Sequence, residues 1–130
     1  MSLIKNFEDI ICWKESRILN QRMGEMIDQK RFDHNYRLIN QIEGSAGSIM
    51  DNIAEGFERG GNREFIQFLA YSKGSLGEVR SQIYRLFDRK VMDKKTFEIL
   101  QNDCLLLAGK IGTFMTYLRN SQFRGNKFKD

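Results

Sequence analysis

GSIMDNIAEGFERGGNREF, residues 47–65, is the stretch that decides how this chain folds. Ile49, Ile53 and Phe57 recur every four residues, which places them on one face of a helix. Phe65 opens another such face. Between the two stand Gly60 and Gly61, which accept the backbone angles of a helix end. Asn62 follows as a cap for the next helix. The stretch therefore reads as the bend of a helical hairpin rather than as a catalytic or binding loop.

Outward from that bend the same signal repeats. Ile39, Ile42, Ala46, Ile49 and Ile53 lead into it. Phe65, Leu69, Ser72, Leu76, Val79, Ile83 and Leu86 lead away. A further series runs Phe97, Leu100, Cys104, Leu107, Ile111, Phe114 and Leu118. Steps alternate between three and four, the seam of a bundle helix. The first segment is less regular, with Cys12, Ser16, Leu19, Met23 and Met26 as its stripe and Trp13 and Ile27 beside it. Caps set the boundaries. Asp9 starts a helix over about 10–30, Asp33 or Asn35 one over 35–59, Asn62 one over 62–90, and Asp93 one over 93–120. Connections this short make consecutive helices antiparallel neighbours. The expected fold is all-α, an up-down-up-down four-helix bundle over residues 1–120, with a basic flexible tail over 121–130. Nothing alternates with period two, so no strand is expected.

Composition agrees. The chain has 130 residues, enough for one domain with its own core. It contains no proline at all, which suits long helices. Cys12 and Cys104, far apart in apolar surroundings, read as reduced core residues. The N-terminus shows no basic region leading into an apolar run and a cleavage site, and no apolar stretch approaches ~18 residues. A cytoplasmic protein with no membrane span is expected.

Two near copies flank the bend: GSAG at 44–47 and GSLG at 74–77. Gly44 and Gly77 are equidistant from the midpoint between Gly60 and Gly61, and so are Gly47 and Gly74. Each glycine inside a helix costs up to ~1 kcal/mol against alanine. The expectation is that these four let α-helices two and three cross backbone against backbone, or admit a helix of another subunit.

Enzyme chemistry finds little support. A diiron bundle requires Glu-x-x-His on two helices, and His34 is the single histidine. Cys12, Cys104 and His34 lack zinc-ligand spacing. GFERGG is no phosphate loop, since no strand precedes it. Asp51, Glu55 and Glu58 share one helix face and resemble paired carboxylates, but Arg59 and Arg63 stand within ion-pair reach. No catalytic residue, metal or cofactor is expected, and a nuclease built on Asp51 and Glu55 is the remote enzyme reading.

Charge points to binding. Net charge is +4, and residues 110–130 hold five basic residues against Asp130, so the whole excess sits there. Residues 33–58 carry Arg37 against five acids, whereas 73–90 carry five basic residues against Glu78 and Asp88. Arg80, Arg85, Arg89, Lys90, Arg119, Arg124, Lys127 and Lys129 are the candidate nucleic-acid contacts. Phe123 and Phe128 interleave rings with the tail cations, a pattern suited to single strands.

FEDIICWKES (7–16), followed by YRLINQIEGSAGSIMDNIAEGFERGGNREFIQFLAYSKGSLGEVRSQI (36–83), resembles a four-helix bundle family that includes proteins encoded by intervening sequences of 23S ribosomal RNA genes. The resemblance covers most of residues 7–120, and the family is similar in turn to the accessory protein of diversity-generating retroelements. It implies a bundle assembled into a ring, often a homopentamer. Implied partners are RNA or DNA, and a reverse transcriptase or other protein. No catalytic residue carries over. Asn52, Glu55, Gly56 and Arg59 match the family's signature positions and imply hairpin and interface structure. The family often has proline within the segment matching SIMDNIAEG, and this chain has none. The expected function is thus a non-enzymatic homo-oligomeric scaffold binding RNA or a ribonucleoprotein through basic surface. A protein–protein adaptor ring is the alternative.

Overall fold

Each apolar stripe becomes one helix in the computed structural model, which describes residues 4–28 and 35–121. A single 3-10 turn, Phe7–Asp9, leads into α1 (Ile11–Asp28), α2 (Tyr36–Glu58), α3 (Asn62–Asp88) and α4 (Lys94–Asn120). The described residues contain no strand. The chain is an all-α four-helix bundle.

Cross-helix contacts give the register. Ser45 Oγ donates to Glu78 Oε1 at 2.7 Å, Ser75 Oγ to Ser48 Oγ at 3.0 Å, and Arg89 to Asn35 Oδ1 at 2.6 Å. As one number rises the other falls, so α2 and α3 are antiparallel. Arg80 and Tyr84 of α3 meet Gln101 and Phe97 of α4 in the same descending order. Glu15 and Arg22 of α1 pair with Lys110 and Asp103 of α4. The core is continuous along the axis. Ile49, Ile53, Leu69, Val79, Ile83, Cys104 and Ile111 have no exposed surface, and burying a side chain of the larger kind contributes roughly 1.5–3 kcal/mol.

Local departures from the sequence reading have physical causes. Asp9 does not cap α1; its carboxylate accepts from the Asn6 amide at 3.1 Å and closes the 3-10 turn upstream. Gly61 is the N-cap of α3, and Asn62 is the first helical residue. Asp93 does cap α4, accepting from the Thr96 amide at 2.7 Å. The α2 stripe turns at its start, so Leu38 is buried and Ile39 only partly so. Asp33, His34, the expected first-helix end at Lys30 and the tail beyond residue 121 lie outside the described residues.

The end of α3 contains an unusual residue. Lys90 N–H bonds to Phe87 O at 2.9 Å and Val91 N–H to Leu86 O at 3.2 Å, which completes a Schellman motif. Its left-handed position is taken by Lys90, φ 62°, where a β-carbon is strained by about 1–2 kcal/mol. The variant Lys90→Gly should therefore be more stable than the parent by roughly 0.5–1 kcal/mol, the relieved strain being partly offset by glycine's greater unfolded-state entropy. Urea denaturation would read this as a raised midpoint at unchanged slope.

Candidate functional site

The contact between α2 and α3 is lined by polar side chains. A β-carbon built on Gly44, Gly47, Gly74 or Gly77 would meet nothing within 4 Å. These glycines lie at the surface, and they are not the backbone crossing. Serines in and beside the two repeats make the contact instead. Ser72 Oγ, fully buried, donates to the Ile49 carbonyl at 2.6 Å, and Ser48 meets Ser75. Small hydroxyls allow the approach and satisfy each other inside it.

The tight glycine is Gly56. A β-carbon there would stand 2.6 Å from Phe68 Cβ and 3.0 Å from the Phe65 ring. Of Asn52, Glu55, Gly56 and Arg59, which the resemblance singles out, Gly56 and Arg59 both meet Phe68. Asn52 donates to Ser48 O and Oγ, both at 2.8 Å. Arg59 pairs with Glu55 at 3.2 Å and lays its guanidinium over the Phe68 ring, 5.1 Å from the centroid. Both members of the ion pair are half exposed, so it contributes only a few tenths of a kcal/mol. The arrangement holds the α2–α3 hairpin end together.

Glu43, Asp51 and Glu55 line a shallow groove on the outer face of α2, floored by Gly44, Gly47, Ser48 and Asn52. Among the described residues no three His, Cys, Asp or Glu side chains converge on a metal-sized site.

The candidate cations fall in different places. Arg80 Nε donates to Gln101 Oε1 at 3.0 Å, Arg85 to Gln41 Oε1 at 3.2 Å and Arg89 to Asn35 Oδ1 at 2.6 Å. All three are positioned by neutral amides, so no carboxylate cancels their charge through those bonds. Arg85, Arg89 and Lys90 cluster where α3 ends. Arg119 lies at the far end of α4, and a helix of 27 residues spans roughly 40 Å. Arg124, Lys127 and Lys129 lie outside the described residues.

Residue-by-residue reading of the sequence missed the face shared by α1 and α4. Nine large apolar side chains are exposed among the described residues. Ile18 and Leu106 line this face, and helical spacing puts Ile11, Ile99 and Tyr117 on the same sides of α1 and α4. Their spacing matches Glu15 and Arg22 on α1 and Asp103 and Lys110 on α4. Those four pair across the groove, Glu15 with Lys110 and Arg22 with Asp103. Ile18 and Leu106 lie between the two ion pairs. A detectable signal was present: in Leu105-Leu106-Leu107 only Leu107 fits the core stripe, so two leucines must be exposed.

Both cysteines are buried and free. Burial, reinforced by Glu15, pushes the Cys12 thiol up to about 11; burial, reinforced by Asp103, pushes Cys104 up to about 12. Neither is a nucleophile at neutral pH. In the unfolded chain both would ionise near 9.0. Their contribution to stability is full below that pH and is lost as pH rises through 11–12. Native protein should accordingly resist Ellman's reagent at pH 8 and yield both thiols once denatured; rapid native labelling would contradict their burial.

Residues 8–113 match the family model described as 23S rRNA-intervening sequence protein. Among solved structures, a protein of unknown function from the S23 ribosomal protein family of Bacteroides thetaiotaomicron is similar in fold, with a TM-score of 0.72 and 18% identity over 81% of this chain and 98% of that one. At that identity the likeness shows the fold alone. No curated protein matches the chain. No helix among the described residues is long and apolar enough to cross a membrane.

Proposed function

The chain belongs to the 23S rRNA-intervening sequence protein family, and from that premise we propose that it is a non-enzymatic homo-oligomeric scaffold, a ring of the pentameric kind, that binds nucleic acid or a ribonucleoprotein through basic surface. The observation that carries this reading is the α1–α4 face. Clustered exposed apolar surface marks an interaction site, and here Ile18 and Leu106 share one groove while Ile11, Ile99 and Tyr117 extend the same helical faces. Its two ion pairs already satisfy their own charges. Another subunit can therefore cover the face without stranding a charge, the main penalty of burying one.

The nucleic-acid half rests on Arg80, Arg85 and Arg89, which are positioned by amides and keep their charge open. One copy carries only +4, but a ring sums its charges; five copies carry about +20, and summed charge steers polyanions.

The test is binding of a mixed-sequence RNA oligonucleotide at rising salt. Each neutralised phosphate of a single strand adds about −0.7 to the slope of log K against log salt. A steep slope supports the scaffold. Absence of binding at low salt, or a flat slope, replaces it with a protein–protein adaptor ring.

A further inference from the structure

We infer that the strip of α3 facing α4, made of Lys73, Arg80 and Tyr84, is where a single-stranded nucleic acid lies, with Arg80 gripping a phosphate and Tyr84 stacking a base. The inference rests on the nucleic-acid reading above and names its contact surface. Spacings of seven and four put the three side chains on one face of α3. That face looks toward α4, because Arg80 meets Gln101, Tyr84 meets Phe97, and the Lys73 amine lies 3.8 Å from where a β-carbon on Gly112 would stand.

The arginine is fixed in advance. Gln101 is buried and donates its own amide to the Arg80 carbonyl at 2.9 Å while accepting from Arg80 Nε at 3.0 Å. That closed loop leaves the two terminal guanidinium nitrogens without an acceptor among the described residues. A guanidinium held by its Nε edge presents its remaining donors in a set direction, which suits phosphate oxygens. Holding it beforehand removes part of the ordering entropy of binding.

The ring one helical turn on is fixed as well. Phe97 meets Tyr84 edge to face, centroids 5.0 Å apart and planes at 73°. Tyr84 remains 49% exposed. A rigid, half-exposed ring beside a positioned cation is the pairing that takes an unpaired base and its phosphate. The duplex is disfavoured, because its bases have no free faces to stack.

The experiment is fluorescence anisotropy with a labelled 20-nucleotide RNA, its DNA counterpart and the matching duplex, using the full chain at several salt concentrations. Tyr84→Ala should weaken single-strand binding at least about fivefold, and Tyr84→Phe should restore it. Arg80→Ala should make the salt slope shallower by about 0.7. Gln101→Leu keeps every cation, so it should weaken binding several-fold with the slope unchanged, the mark of a positioning residue. Lys14→Ala on α1 removes the same charge away from the strip and controls for net charge. Circular dichroism confirms that each variant is folded. Binding by the parent that survives Tyr84→Ala and Arg80→Ala, or equal binding of duplex and single strand, overturns the strip while leaving the scaffold reading intact. Failure of the parent to bind any oligonucleotide at low salt overturns both.

Discussion

Gly56→Ala lowers the stability of the bundle by about 2–3 kcal/mol, the upper part of the range for overpacking. The reason is geometric. The new β-carbon would stand 2.6 Å from Phe68 Cβ, an atom fixed by its own backbone, so α3 must shift. Phe68 is also the ring under Arg59 and the edge partner of Tyr71 at 5.4 Å. Moving it disturbs the whole hairpin end. The same substitution at Gly44, Gly74 or Gly77 should go the other way. Those positions are inside helices and open to solvent, so alanine gains up to ~1 kcal/mol of helix propensity. Chemical denaturation at one fixed protein concentration compares them, since assembly makes stability concentration-dependent. A Gly56→Ala protein as stable as the parent would remove the close approach of Phe68.

The double variant Ile18→Asp with Leu106→Asp should run as a monomer in sedimentation velocity at concentrations where the parent is assembled. Ile18 and Leu106 stand 46% and 56% exposed in a single chain. Covered by a neighbour, each aspartate would be an unpaired buried charge, and central interface positions of this kind cost 2 kcal/mol or more each. Together, about 4 kcal/mol or more, that is a dissociation constant raised by roughly 700-fold or more. Exposed surface substitutions shift intrinsic stability by only ~0.5 kcal/mol, so the far-ultraviolet dichroism of the folded chain should be unchanged. An assembly that tolerates both aspartates would show that the α1–α4 face is not the contact.

The fold was legible because periodicity and length agree. Series such as Leu69, Ser72, Leu76, Val79 and Ile83 can satisfy only a helix with one buried face, and the structure buries every one of them. The α2–α3 hairpin was equally clear, since Gly60 takes the left-handed backbone, φ 83°, that ends a helix. The misreadings share one cause: helical spacing tells which residues share a face, not what that face meets. Gly44, Gly47, Gly74 and Gly77 were symmetric about the bend, yet they turned outward while Ser45, Ser48, Ser72 and Ser75 took the crossing. Gly56, the tight position, carried no pattern of its own beyond its place in the resemblance. Arg89 and Arg119 read as one basic set, although antiparallel helices send the end of α3 and the end of α4 to opposite poles. Ile18 and Leu106 fall outside the core stripes, and only the packing of α1 beside α4 puts them together.

The most direct test of the scaffold is the mass of the purified protein by multi-angle light scattering, with and without a mixed RNA oligonucleotide, at low and high salt. The expected mass is a multiple of the 15.3 kDa chain, of pentameric size, at both salts. A gain of RNA mass should appear at low salt and disappear at high salt. A 15.3 kDa particle whose mass never changes with RNA would contradict both the assembly and the nucleic-acid binding.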